Sequence, residues 1–482
     1  MSEELRRLSK RQLIRLIEQL VERVEVLERR VQQLEHLEQR NAELEAEVAR
    51  LRKNSSTSSK PPSSDIVKPP PSTPTRRAGK RQAGGQPGHD RHARTPFDPE
   101  QLDAAWDYTL STCPDCGGGL RKASVAPRVV QQIELVEKPV RIEEHRALAH
   151  WCPRCRKVHW SALPVEVVNG GLVGPRLTAH LGYLKGVCHA SYRTIQKYAE
   201  DVLGVSLSTG QLAKVIGKVA ASLATPYEQL QAALPTESRL NVDETGHKDK
   251  GERYWTWCFR AQLYTLFKID PSRGSEVLLE VLGKEFAGVI GADYFSAYRK
   301  YMGDCGVLVQ FCLAHLIRDV KYLTTLSDQA TQKYGHNLLA RLRALFSVIH
   351  RRERMSAGAF QRALEQARKK LVFTATHPPR TGAADNLAAR FRQHGDAYFQ
   401  FITTPGIEPT NNLAEQAIRF VVIDRRITQG TRGPAGRRWS ERIWTTMATC
   451  AQQGRSVTVF LQQAVQAHFT GRPPPSLLLH AS

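Results

Sequence analysis

Residues 1–53 contain no proline or glycine, whereas residues 54–95 are dominated by serine, proline, glycine and basic side chains. This junction constrains the architecture most, because it sets a continuous helix before a segment too poor in apolar residues to order itself. Within the helix the apolar residues Leu13, Ile17, Leu20, Val24, Leu27, Val31 and Leu34 alternate three and four apart. An extra three-residue step to Leu37 follows, and the series resumes through Asn41, Leu44, Val48 and Leu51. That is a heptad seam with one stammer. Asn41 falls at an a position, where a buried amide fixes register and favours two strands. The seam predicts a self-associating, dimeric coiled coil over 1–53; the alternative is one amphipathic helix packed on the body. The stretch 54–100 reads as a flexible basic linker, with eight Lys or Arg against two Asp in residues 54–96.

Lysine and arginine outnumber aspartate and glutamate by 69 to 47 across 482 residues, a net charge of +22. Such an excess favours a polyanionic partner, since each phosphate contact releases counterions. The length holds about three domains and a sizeable core. No run of about 18 apolar residues occurs, which predicts no membrane span. The N-terminus is densely charged from Glu3 to Arg15, without the apolar segment of a signal peptide. A cytoplasmic, nucleoid-associated location is expected.

Of nine cysteines, four form the pairs Cys113-Pro-Asp-Cys116 and Cys152-Pro-Arg-Cys155. In a reducing compartment this pattern points to metal and not to disulfides. Between the pairs lie β-rich stretches at 129–137 and 140–151. The reading is a zinc ribbon over 101–170, in which four thiolates close a structural, tetrahedral Zn2+ site. The gap exceeds the roughly 15–20 residues common between such pairs and fits an extended hairpin. His150 and His159 flank the second pair and read as surface residues.

Residues 174–224 contain three helical segments, with Gly204 ending the second and Ser208 or Thr209 capping the third. They predict a helix-turn-helix-like DNA-binding module over 171–236, or three-helix packing without DNA contact.

From about Leu240 the pattern changes to short β segments: RLNVDE (239–244), YWTWCFRAQ (254–262) and LYTLFKID (263–270). A helix, SEVLLEVLG (275–283), precedes the apolar stretch GVIGAD, which ends at Asp293; VLVQFC (307–312) then runs into the helix LAHLIRDVKYL (313–323). Residues 325–400 are charged and mostly helical, too long for a structureless loop, and read as an insertion with its own packing. A turn, TTPGIEPTNN, opens the helix that carries Glu415. The first strand delivers Asp243, the fourth Asp293 and the late helix Glu415, which suits an RNase H-like α/β core over 237–455, followed by a C-terminal helix and tail over 456–482. Acids so placed can converge on two divalent cations, Mg2+ (or Mn2+), chosen for their affinity for oxygen ligands. Such a pair clamps the attacking and leaving oxygens of a phosphoryl transfer. Glu408 is the weaker candidate for the third acid.

Positions 411, 415 and 419 share one helical face, and Asn412 lies three residues before Glu415. Asn412, Arg419, Arg425, Arg426, Arg432, Arg437 and Arg438 are candidate DNA contacts, the last three within the glycine-rich basic loop TQGTRGPAGRRWS. His315, three residues after Cys312, either reaches a phosphate or is a core histidine. Tyr294 and Tyr298 lack the Arg/His constellation of a covalent tyrosine nucleophile and read as core or DNA-stacking residues.

Several motifs together resemble the DDE transposases of insertion-sequence family 66. NSSTSSKPPSSD (54–65) and GGQPGH (84–89) are similar to its linker signatures, CPDCGG and CPRC to its zinc module, and VDETG, ADYFSAY, CLAHLIRD and PTNNLAEQAIR to its core motifs. The tail GRPPPSLL fits as well. Gln416 departs from the basic residue expected after the acid, which touches a DNA contact and not the metal site. The resemblance implies that Asp243, Asp293 and Glu415 form a DDE triad. It further implies hydrolysis at element ends and transfer of the freed 3′-hydroxyl to target DNA, with two ends held by a dimer and accessory proteins from the same element. The rival readings are an RNase H-like structure-specific nuclease and a non-catalytic zinc-ribbon DNA-binding regulator.

Overall fold

A computed structural model describes residues 96–479, apart from 119–120, 122–128, 134–135 and 137–138, together with scattered positions between 10 and 48. The linker residues 54–95 lie outside the described residues, as do Leu13, Ile17, Leu20, Leu37, Asn41 and Leu51 of the heptad seam. The described seam residues Val24, Leu27, Val31, Leu34, Leu44 and Val48 are helical, and each is exposed. No helix among the described residues is long and apolar enough to cross a membrane.

Two short strands, β1 (Ala149–Cys152) and β2 (Lys157–Trp160), pair as an antiparallel hairpin. The remaining described residues of 129–148 form no strand, so this region holds less β structure than its β-branched runs predict. A strand is stable only within a ladder, and propensity alone supplies no partner. Gln131 instead ties back to Phe97, accepting from its backbone N–H at 2.7 Å and donating to its carbonyl at 3.0 Å.

Five helices follow: α1 (Val165–Gly170), α2 (Pro175–Gly186), α3 (Tyr192–Asp201), α4 (Thr209–Ser222) and α5 (Ala224–Ala233). Their starts are written in the sequence. Proline opens α2, Ser191 caps α3, and Ser208 caps α4 in a capping box with Gln211. Leu181, Ile195, Leu207, Leu212 and Val215 form a small core of their own. The other face of α2 and α4 joins the main core through Ala179, Val219 and Leu223.

The central sheet has the order β5-β4-β3-β6-β7. Strands β3 (Arg239–Asp249), β4 (Glu252–Arg260) and β5 (Thr265–Asp270) form an antiparallel meander, while β6 (Val289–Ala292) and β7 (Leu308–Phe311) run parallel to β3. Along the start of β3 buried Leu240 and Val242 alternate with half-buried Asn241 and Asp243, as a strand with one core face requires. Every residue of β6 is buried, as expected between parallel neighbours. Helices α6 (Ser275–Leu282), α7 (Ser296–Cys305) and α8 (Leu313–Leu323) connect these strands and lead out of them. The predicted insertion is helical, comprising α9 (Gln329–Ile349), α10 (Ala357–Thr376) and α11 (Gly382–His394). Buried Leu338, Leu342, Leu345, Leu364 and Leu371 give it packing that continues into the main core.

Three long helices complete the chain: α12 (Asn412–Thr428), α13 (Pro434–Gln452) and α14 (Val457–Thr470). The last packs back on the first helical module. Asn169 donates to the Phe469 carbonyl at 2.8 Å, and Lys218 donates to the Asn169 carbonyl at 2.7 Å.

Candidate active site

Strands β3 and β6 are parallel and in register at Asn241 opposite Gly291. Two residues further along each strand direction stand Asp243 and Asp293, so the pairing alone delivers two carboxylates to neighbouring positions on two adjacent inner strands. Glu415 arrives by a separate device. Asn411, at the N-cap of α12 and only 2% exposed, spends its side chain on the sheet instead of on the helix. Its amide donates to the Val242 carbonyl at 2.8 Å and its oxygen accepts from Asn241 at 2.9 Å. The Asn411 N–H reaches the Cys312 sulfur at 3.1 Å, and the Leu313 N–H donates to Pro409 at 2.9 Å. The first turn of α12 is thereby bolted across β3 and the start of α8, with Glu415 one turn inside the helix. Gly291 is required for the bolt, because a Cβ there would sit 2.6 Å from the Asn241 amide nitrogen.

The three acids share one electrostatic environment. Burial pushes the Asp243 carboxyl well above the usual range, and the charges of Glu244, Asp293 and Glu415 push it further. Burial also raises Asp293, against the pull of the Phe295 N–H at 2.9 Å and of Arg273. Buried carboxylates whose charges repel one another are costly unless a cation neutralises them.

Glu415 faces α8. Its Oε2 accepts from Arg318 at 3.4 Å, and its Oε1 lies 3.4 Å from the Nδ1 of His315. Burial, then Arg318 and Arg390, lower His315 to about 4, so its ring is neutral near pH 7. Both Glu415 Oε1 and His315 Nδ1 are buried without a hydrogen-bond partner. The orphaned Glu415 Oε1 and the acid-rich donor set beside it fit a bound cation; the His315 Nε2 accepts from Arg318 at 3.3 Å, which leaves the proton of the neutral ring on Nδ1. Among the described residues Cys312, His315 and Glu415 also form the one group of three His, Cys, Asp or Glu whose ligand atoms lie within 4.8 Å of one another. Burial pushes the Cys312 thiol up to about 11.

Two members of the site escaped the sequence reading. Glu244, next to Asp243, points to the opposite face and its side chain is only 2% exposed. It accepts from Arg273 at 2.7 Å and from the Tyr298 hydroxyl at 2.5 Å, and burial with the Asp293 charge raises it to about 7. Strand alternation was the available signal for it. Arg318 was legible only as the residue three positions after His315 in LAHLIRD. Tyr298 is a core residue with a polar task, and Tyr294 is half-buried, stacked with Tyr398 and covered by the Arg390 guanidinium at 3.7 Å.

The candidate DNA contacts fall in different settings. Asn412, Arg419, Arg426, Arg432 and Arg438 are exposed. Arg425 is half-buried and donates to the Thr245 hydroxyl at 2.9 Å. Arg437 pairs with the buried Asp249, which also accepts from the Gly433 N–H at 2.6 Å and the Thr431 hydroxyl at 2.8 Å. The glycine-rich loop is therefore anchored to the end of β3, where the Thr431 N–H donates to the Lys248 carbonyl and the Thr431 carbonyl accepts from the Lys250 N–H, each at 2.9 Å. His315 is buried against Glu415. Glu408 lies outside the helix that holds Glu415.

The cysteine pairs form two separate knuckles. Gly117 N–H donates to the Cys113 carbonyl and Cys113 N–H to the Gly118 carbonyl, each at 2.8 Å, while Cys152 ends β1. Backbone N–H groups, of Asp115 first at Cys113 and of Cys155 first at Cys152, lower both thiols. The four sulfurs do not gather within ligand distance of one another. His159 lies 3.3 Å from the Cys155 sulfur.

The chain is similar to the uncharacterized protein y4hP of Sinorhizobium fredii (strain NBRC 101917 / NGR234), 22% identical over 354 residues, which is 66% of this chain and 63% of y4hP. It is also similar to the uncharacterized protein y4qI of the same strain, 22% identical over 396 residues, 74% of this chain and 71% of y4qI. The chain thus spans less than two thirds of the length of y4hP. Residues 2–95 match a family of unknown function, DUF6444. Residues 170–438, more than half of the chain and all of the acid-bearing elements, match the family described as "Transposase IS66 family", and to that transposase family this chain belongs.

Proposed function

We propose that the chain is a DDE-type DNA transposase that cleaves element ends and transfers the 3′-hydroxyl to target DNA. The observation that supports this reading is that the charges of Asp293 and Glu415, brought in by the β3–β6 register and by the Asn411 anchor, both act on the buried Asp243 carboxyl. A sheet of three antiparallel strands extended by two parallel ones supports an RNase H-like core. Asp243, Asp293 and Glu415 would hold Mg2+ or Mn2+. When bound, the ions activate the attacking oxygen and stabilise the departing one. The chain's own residues set the stage for that step. Asn411 fixes the helix, Arg318 fixes the Glu415 carboxylate, and neutral His315 adds no repelling charge beside it.

Two transfers follow in this reading. In the first, a water oxygen bonds to the phosphorus at the element end and the 3′ oxygen leaves, taking up a proton. In the second, that 3′ oxygen bonds to a target phosphorus and displaces a target 3′ oxygen. The exposed heptad seam supports pairing of two protomers, and the knuckles support a structural Zn2+ once Cys113, Cys116, Cys152 and Cys155 close together. Accessory proteins from the same element are further expected partners.

The test is a strand-transfer assay with Mg2+ on oligonucleotides carrying the flanking element's ends, comparing wild type with Asp243→Ala. Joined products from wild type alone support the reading. Nicking without joining favours a nuclease, and equal joining by Asp243→Ala removes this acid from the mechanism.

A further inference from the structure

Beyond the acids, α12 and β3 continue side by side. Asn411 meets Val242, Arg425 meets Thr245, and Thr431 bridges to Asp249. Where they end, the β3–β4 hairpin and the last turn of α12 enclose a groove of about 530 Å³. Its cationic walls are Lys248, Arg253, Arg425 and Arg426, with Gln429 beside them and no carboxylate in the lining. Of the three acids adjoining these residues in sequence, Asp249 pairs with Arg437, Asp424 pairs with His189, and Glu252 is exposed outside the lining. Arg425 is the telling member. It is half-buried and, among the described residues, makes no ion pair, only a bond to a neutral hydroxyl. A cation withdrawn from water without a counter-charge is costly, so the site is built for an anion that the protein does not itself provide. The groove is also held in shape: Gly430 has a φ of +85°, and a Cβ there would lie 2.1 Å from the Lys248 carbonyl.

We infer that this groove binds a backbone phosphate of duplex DNA flanking the reacting phosphate, and that Lys248 and Arg253 of the hairpin are DNA contacts alongside Arg425. Spacing supports the assignment. Asp243 to Lys248 spans about 17 Å at strand rise, and Glu415 to Arg425 about 15 Å at helical rise. Phosphates of one strand advance about 3.4 Å along the duplex axis per base pair, so the groove lies roughly four to five base pairs from the acids. Exposed guanidinium and ammonium groups around a fixed Arg425 suit an anion recognised by charge, which is sequence-independent.

The inference rests on the DNA-transposase reading, and the experiment separates the two. Full-length wild type, Lys248→Gln/Arg253→Gln and a charge-matched control, Arg341→Gln/Arg343→Gln on exposed positions of α9, are titrated with a 30-mer duplex at several salt concentrations. The groove pair is expected to bind roughly tenfold more weakly and to lose about 1 from the salt slope, as for one lost phosphate contact, while the control keeps the wild-type slope. A groove pair indistinguishable from the control overturns the groove and leaves the transposase reading intact. Absence of duplex binding by wild type overturns both. Circular dichroism checks the fold, and if the double variant unfolds, Lys248→Gln alone supplies the same comparison.

Discussion

Replacing Asn411 by alanine tests how the third acid is placed. The substitution removes two side-chain hydrogen bonds, to the Val242 carbonyl at 2.8 Å and from the Asn241 amide at 2.9 Å. Each is worth ~1 kcal/mol net, and a buried partner left unsatisfied costs about 1–3 kcal/mol more. Asn411 is 2% exposed, so water cannot replace it without rearrangement. The sum is roughly 3–5 kcal/mol, above most single substitutions. Part of that cost is local, because the freed first turn of α12 carries Glu415. A misplacement of about 1 Å is worth on the order of 100-fold in rate. Urea unfolding followed by the fluorescence of the seven tryptophans reads the first quantity, and Mg2+-dependent cleavage reads the second. A loss of under about 0.5 kcal/mol with wild-type cleavage would refute the argument that Asn411 bolts the helix to the sheet.

Three further outcomes are expected. His247 is buried, its Nδ1 has no partner, and burial lowers it from 6.5 to about 4. The unfolded chain therefore binds the proton first, and the stability gained above pH 6.5 is lost as pH falls toward 4, by up to about 3 kcal/mol. His247→Gln should flatten the stability profile in that window, and an unchanged slope would assign the loss to other groups. Gly430→Ala should destabilise by about 1–3 kcal/mol, since it adds a Cβ at positive φ against the Lys248 carbonyl; a melting curve matching wild type would mean that the loop is not pinned to β3. Purified protein should carry about one Zn2+ per chain by elemental analysis, falling toward zero in Cys116→Ser; zinc content unaffected by the substitution would end the ribbon assignment.

Local pattern carried much of this molecule. Apolar periods placed β3 to β7 and the helix at Leu313–Leu323, Gly204 and Ser208 marked the turn between α3 and α4, and length alone required the 325–400 insertion to fold. The same patterns placed Asp243 and Asp293 in adjacent sequence contexts, since a residue two past a paired strand position stays on the same side of the ladder. What lay beyond reach were contacts between residues far apart in the chain. Asn411 reads as an ordinary cap, yet 169 and 170 residues separate it from the groups it holds. Arg437 reads as one more basic loop residue, yet Asp249 takes its charge, while Arg425 in the same run meets only the Thr245 hydroxyl and no acid among the described residues. Hydrophobic period and charge are properties of neighbours and can be read in order. Which buried donor meets which acceptor, and which cation is left without an acid, depends on how strands and helices stack, and only the tertiary structure decided that.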